Sequence, residues 1–424
     1  MSGMFKELCA VGVTWALLAA ASVGAQEVDP NSELGQFRSQ RAAGMSALDA
    51  NDLATAAKSF AAASAILPDS PSVLLLRAQV ALQQKRAADA KALLNAYLSR
   101  GYVVDLARNS DFNAVWNGDL DNLQQVNESP TGDMQVMATV PGFTLTDGMT
   151  YAPASRQLFL AGIHTGKITA LSATGTRDVV TFRAGVAAYG LGLRDGKIWA
   201  TTAATRQTKG YDSKSSIVSK IVEIDPANGQ VIASFADQPD GQFGHLLLGR
   251  DDLYVIDSNH GSVLRLNGYQ GTLQSLVPEG YMDSPMGLAE NADASVLIVS
   301  DFISGLYRID LVAGSMQRLL PPDGGSTLGF SSISVYGHDL IGIQNGFKPN
   351  RVVRLRMSDD WSQIVSEETV LRSDKALSQP TQGVISADQF IFVAQSQWSN
   401  MDDHGNAIKP DPAPTVVGAI NLEP

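Results

Sequence analysis

Hydrophobic residues recur in two rhythms along this chain. From Ser32 to about Gln125 they fall at helical spacing, in a stretch rich in Ala, Leu, Gln and Arg and poor in Gly and β-branched residues. That composition and period predict helices over residues 32–125. After Asp133 the rhythm shortens. Glycine becomes frequent, and short β-branched runs alternate with Gly, Asp and Asn turns. This predicts strands over residues 133–424.

The helical part carries its own sub-pattern. Gly44, Ala56, Phe60, Ala63 and Pro68 have the spacing of one helical hairpin repeat, and Ala78, Ala90, Leu94 and Tyr97 give a weaker copy 34 residues on. Small residues at Gly44 and Ala56 let two antiparallel helices approach, Phe60 fills the gap, and Pro68 stops the second helix. Over residues 36–100 this resembles the tetratricopeptide family, and a trailing helix is expected through Phe112 and Trp116. Such units bury their faces on neighbours, and about three are needed to stand alone. The module is therefore expected to pack on the rest of the chain or on a protein partner, either docking a peptide or serving as a helical spacer.

The strand-rich part repeats six times. KITAL, KIVEI, SVLRL, GLYRI, RVVRL and VVGAI end at Leu171, Ile224, Leu266, Ile309, Leu355 and Ile420, at intervals of 53, 42, 43, 46 and 65 residues. Each is preceded by an opening apolar strand and a second strand, as in DGMTY and QLFLAG. Units of about 42 residues that read as several short strands predict propeller blades. The fold class is thus mainly β, a six-bladed β-propeller behind an α-helical module. The last blade runs out of chain after its third strand. The orphan strand MQVMATV, residues 134–140, is expected to pair beside residues 416–422 and close the ring, which removes two exposed sheet edges.

Composition narrows the partners. The 31 Lys and Arg stand against 43 Asp and Glu, a net charge of −12, which argues against a nucleic-acid or anionic-lipid surface. Residues 1–25 read as a signal peptide: Lys6, an apolar stretch from Leu8 to Ala21, then Val23, Gly24 and Ala25 before Gln26. The single cysteine, Cys9, lies inside it. The expectation is a periplasmic or secreted protein, without disulfides and without a membrane span after cleavage.

Opening strands of a propeller line its channel, and the turns leading into them share one face, here called the upper face. The candidate ligand-binding residues placed there are Asp147, His164, Tyr189, His245, His260, Asn345, Gln382, Gln395 and Trp398. Asp147, His245 and Tyr189 are the acid/base candidates. Residues 203–216 and 398–415 are insertions on the same face and are expected to act as lids. Arg206, Lys209 and Lys214 in the first of these would attract an anion. Asp257 and Asp301 are expected to cap their own turns, and Asp402 and Asp403 to form a solvated charged turn.

DGMTY in blade one and SPMGLAENADASVLIVSD in blade four resemble the senescence-marker-protein/gluconolactonase family, with the strictosidine synthase group as a more distant relative. The resemblance spans residues 134–422. It implies a divalent cation in the channel, calcium or zinc, on oxygen ligands from a blade-one Glu, an Asn and an Asp, polarising a lactone carbonyl. Asp147 matches the first ligand. Met286 stands at the Asn position and Ser331 at the Asp position, so the set departs from the family where the metal would sit.

Three readings follow. The first is an exported propeller that binds a small molecule or peptide in the channel mouth, with the helical module docking a partner. The second is a metal-assisted lactone or ester hydrolase. The third is a metal-free lyase or isomerase. No phosphate-binding glycine loop or nucleophile elbow is present.

Overall fold

The computed structural model describes residue 30 and residues 32–423, apart from 174, 215–217, 239–240 and 403. The signal-peptide expectation and Asp403 lie outside the described residues. Among the described residues no helix is long and apolar enough to cross a membrane.

Helices α1 (Glu33–Asp49), α2 (Leu53–Ile66), α3 (Pro71–Gln83) and α4 (Ala87–Leu98) form two antiparallel pairs, followed by α5 (Gly118–Glu128). Capping sets their starts: the Ser32 hydroxyl accepts from Gly35 N at 3.0 Å, the Asp52 carboxylate accepts from Thr55 N at 3.1 Å, and Pro71 opens α3 where no N–H is needed. The first pair closes on Phe60, fully buried between Ala56 and Ala63. Gly44 is required there, because a Cβ would meet the Phe60 ring at 2.5 Å. Burying such a ring contributes roughly 1.5–3 kcal/mol.

The trailing helix expected through Phe112 and Trp116 is not formed. Residues 102–107 run as irregular chain, and residues Ser110–Ala114 make only a 3-10 turn. Val103 donates instead to the Lys348 carbonyl of the propeller at 3.0 Å, and the Asn127 amide holds the carbonyls of Leu98 and Tyr102, both at 2.7 Å. Tertiary hydrogen bonds to a docking surface outweigh the helical alternative, in a stretch whose β-branched Val103 and Val104 favour helix little.

The propeller has six four-stranded antiparallel sheets. Their opening strands are Thr146–Ala152, Val186–Arg194, Phe243–Leu248, Pro285–Glu290, Phe330–Tyr336 and Gly383–Ser386. Ring closure is as expected: Gln135–Val140 completes blade six by pairing with Thr415–Asn421, Gln135 opposite Ala419 and Val140 opposite Thr415. Between blades the cores are apolar, with Ile341, Phe390 and Phe392 fully buried between the last two. At the hub, neighbouring opening strands touch. A Cβ on Gly148 would lie 1.7 Å from the Tyr189 carbonyl, so the glycine after Asp147 is what lets blades one and two converge.

The helical module sits on the upper face and is held chiefly by blade five and by its junction with blade four, which supplies Arg318. Asp69, after α2, accepts from Thr327 N and Thr327 Oγ1, both at 2.9 Å, and lies 3.6 Å from Arg318. Tyr102 packs between Phe347 and the Arg351 guanidinium. Thr131 and Arg372 exchange backbone hydrogen bonds. On the blade-four side, Arg38 of α1 pairs with Asp283.

Candidate functional site: the roofed channel mouth

The helices and the propeller enclose a cavity of about 1630 Å³. Its floor is the channel mouth, where Asp147, Tyr189, His245, Ser331, Asn345, Gln382 and Trp398 meet from five blades. Its roof comes from the first helix of each pair, with Phe37 and Arg38 on α1 and Leu75 and Gln79 on α3, and from Gln124 on α5. In a tetratricopeptide array those first helices line the concave side. The groove expected to face a partner is turned onto the protein's own propeller.

The two insertions are not the lids. Among the described residues Trp398 is the one member of the second that lines the cavity, while residues 206–211 and 213 meet 404–406 around a separate pocket. The helices cover the mouth, a role the sequence signalled only through a repeat count too small to stand alone.

Burial dominates the floor electrostatics. The Asp147 carboxyl is pushed up to about 6 by desolvation, against hydrogen bonds from Trp398 and Thr381. The Trp398 indole Nε1 approaches Asp147 Oδ1 at 3.5 Å, and the Thr381 hydroxyl donates to the Asp147 carbonyl at 3.1 Å. The His245 ring is pushed down to about 4 by desolvation, offset in part by the neighbouring Gln382 amide. It is a neutral imidazole at pH 7. The Tyr189 phenol is raised by burial and donates to Thr205 Oγ1 at 2.6 Å. Two floor atoms are buried with no hydrogen-bond partner among the described residues, His245 Nδ1 and Asn345 Oδ1. The Asn345 amide nitrogen is occupied, donating to the Pro380 carbonyl at 2.6 Å. Buried polar atoms of this kind cost free energy unless something pairs with them.

Three sequence candidates lie elsewhere. His164 hydrogen-bonds through Nδ1 to the Gln207 carbonyl at 2.9 Å, stacks on Phe143 and faces the second pocket. His260 pairs with Asp257 at 2.8 Å, with Glu279 beyond at 3.9 Å. Gln395 donates to the Pro414 carbonyl at 2.7 Å and pins the second insertion. All three were grouped by loop position, which fixes the face but not the radius from the hub. The capping reading suits Asp257 and Asp301, and Asp402 caps its turn as well. Asp301 accepts from the backbones of Asp283, Ser284, Ile303 and Ser304. Asp257 accepts from Gln242 N and Asn259 N. Asp402 accepts from His404 N and Asn406 N. Thr381 was missed, since a threonine before a strand carries no distinguishing signal. Gln397 was missed for the same kind of reason: its side chain accepts from Thr144 N and Leu145 N and donates to the carbonyls of Gly142 and Ala413, tying blade six to the Asp147 turn.

The family's cation does not fit this floor. Among the described residues no three His, Cys, Asp or Glu side chains come together to hold a metal. Asp147 meets an indole and a threonine, Met286 brings a thioether, and the Ser331 hydroxyl is turned to the Thr381 carbonyl at 3.3 Å. A hard divalent cation needs several charged or carbonyl oxygens.

The tetratricopeptide repeat model matches residues 47–102. No curated protein matches the chain. Solved structures similar to it include the PQQ-bound aldose sugar dehydrogenase from Streptomyces coelicolor, 16% identical with a TM-score of 0.45, covering 69% of this chain and 100% of the other. They also include the calcium-binding protein regucalcin from Agrobacterium tumefaciens, 14% identical with a TM-score of 0.46, covering 67% and 93%.

Proposed function

We propose that this protein binds an elongated small molecule or a short peptide between the concave face of its helices and the mouth of its propeller. One observation carries the reading: polar groups from five blades, two of them buried with unused hydrogen-bonding atoms, face a single cavity roofed by the same chain. Ligand pockets are typically about 300–1,000 Å³, mostly apolar, with a few convergent polar groups. The larger space here suits a ligand longer than one sugar ring. The ligand's donors and acceptors would replace the missing partners of His245 Nδ1 and Asn345 Oδ1. With the helices engaged on the propeller, docking of a separate protein is limited to their outer face. The proposal also places the protein in the periplasm or outside the cell, on the strength of residues 1–25, and the mass of the mature N-terminus checks this.

The test is a fluorescence and thermal-shift screen of sugars, sugar lactones and tri- to hexapeptides against the full chain. Trp398 lies on the floor, so a cleft ligand should change indole emission, and the change should vanish in Trp398→Phe. A panel that leaves emission and melting untouched, or a hit indifferent to both Trp398→Phe and His245→Gln, would sink the reading.

A second reading rests on a separate feature. A carboxyl raised to about 6 and an imidazole lowered to about 4 on one cavity floor form a pair with separated acid and base strengths. Asp147 would take a proton from a bound ligand and His245 would orient it, which is metal-free lyase or isomerase chemistry. Turnover of a cleft ligand that survives chelation but is lost in Asp147→Asn would establish it.

A further inference from the structure

The second pocket lies apart from the roofed mouth, where the two insertions meet beside blade one. It is lined by Arg206, Thr208, Lys209, Tyr211, His164 and His404, among others, and encloses about 570 Å³. No Asp or Glu lines it among the described residues, although the chain carries a net charge of −12. Two described acidic residues lie near it in sequence, and their carboxylates accept from neutral donors. Asp402 accepts from the backbones of His404 and Asn406 and from the Asn406 amide. Asp212 accepts from Lys214 N. Arg206 and Lys209 form no ion pair among the described residues. An independent observation comes from Thr208. It is 3% exposed, and its hydroxyl is buried with no hydrogen-bond partner among the described residues.

The pocket is built rather than draped. His164 Nδ1–H donates to the Gln207 carbonyl at 2.9 Å, and Lys209 N donates back to the His164 carbonyl at 3.0 Å. Thr208 N bonds the Thr205 carbonyl and Tyr211 N the Thr208 carbonyl. The cations are thus carried on a turn fixed to blade one. Two cations without an ion pair among the described residues, lining the same pocket as an unpaired buried hydroxyl, offer charge-assisted and neutral donors to one acceptor-rich group.

We propose that this pocket binds a small doubly charged oxyanion, a phosphoryl or dicarboxylate group, held by Arg206, Lys209 and the Thr208 hydroxyl. The site is independent of the channel mouth and stands whether or not the mouth binds a ligand.

Calorimetric titration of the full chain with inorganic phosphate, and separately with succinate, tests this at constant ionic strength in a chloride background. Saturable binding of at least one anion is expected, weakened roughly tenfold or more when Arg206→Ser and Lys209→Ser are combined, as loss of charge-assisted bonds implies. Thr208→Val preserves volume and removes only the unpaired hydroxyl. It should melt at or above the parent's temperature and still bind the anion several-fold more weakly. Binding of phosphate alone assigns a phosphoryl group, and binding of succinate alone a carboxylate. No saturable binding of either anion, or binding unchanged in both variants, overturns the proposal.

Discussion

The seam between the helices and blade five, and the mouth beneath those helices, use the same residue types to opposite ends. At the seam, Asp69 is fully buried, accepts two hydrogen bonds from Thr327 and has Arg318 beside it. Arg351 donates to Gln344 at 2.6 Å, pairs with Glu367 at 3.1 Å and covers the Tyr102 ring. At the mouth, Asp147 has the Trp398 indole and the Thr381 hydroxyl beside it and no cation to offset its burial. His245 and Asn345 keep bare atoms. At the seam carboxylates face guanidinium groups, so charge offsets charge even though Asp69 Oδ1, Arg318 Nη1 and the Tyr102 hydroxyl have no hydrogen-bond partner among the described residues. At the mouth the unpartnered atoms belong to residues that line a cavity, where a ligand has something to gain.

Removing the seam's anchor should give the largest effect. Asp69→Ala strips Thr327 of its acceptor and leaves Arg318 buried beside a neutral methyl, which costs on the order of 3–5 kcal/mol. Urea denaturation should show this as a lower midpoint, or as a separate early transition for the helices. A loss below about 1 kcal/mol would mean the seam is not held by Asp69.

At the mouth the expected sign reverses. Asp147 titrates near 6 when folded and 3.8 when unfolded, so its contribution to stability falls as pH rises from about 4 to 6. His245 titrates near 4 when folded and 6.5 when unfolded, so its contribution rises as pH climbs from about 4 to 6.5. The two slopes oppose each other in the parent. Asp147→Asn should therefore expose a stability that increases with pH in this window. His245→Gln should expose one that decreases. Each slope amounts to on the order of 1–3 kcal/mol across the window, reduced from the full linkage value because the cavity admits water. Denaturation midpoints at pH 4, 5, 6 and 7 read both. Parallel curves for the two variants would contradict the picture of a desolvated pair.

Between seam and mouth lies Arg38–Asp283, a half-exposed pair joining α1 to blade four. Arg38→Ala should cost at most about 1 kcal/mol. Its effect on the cavity should be larger than its effect on melting, with faster acrylamide quenching of Trp398. Unchanged quenching would show that the roof is kept shut by the blade-five seam alone.

The fold was legible because repetition multiplies weak signals. Six recurrences of one strand pattern fixed the blade number, and the leftover strand at 134–140 fixed how the ring closes. Gly44 and Phe60 marked a helical pair by spacing alone. The 102–117 stretch was misread because its hydrogen bonds go to blade five, and a window of local sequence holds no information about a partner some 245 residues away, as Val103 is from Lys348. For the site, residues on opening strands or at their lead-ins, such as Asp147, Tyr189, His245 and Gln382, were found by register. His164, His260 and Gln395 share the face with them but not the cavity.

Sequence by itself determined the two rhythms, the count of blades and the polar residues of the hub, because side-chain periodicity and turn chemistry are local and repeat along the chain. Only the tertiary structure decided that the concave helical face would roof the channel, that the metal-like position of Asp147 would be met by Trp398 and a thioether instead of oxygen ligands, and that two distant insertions would meet around a second pocket. Those outcomes depend on distances between segments hundreds of residues apart, and burial, which sets the charge state of Asp147 and His245, exists only once those segments have met.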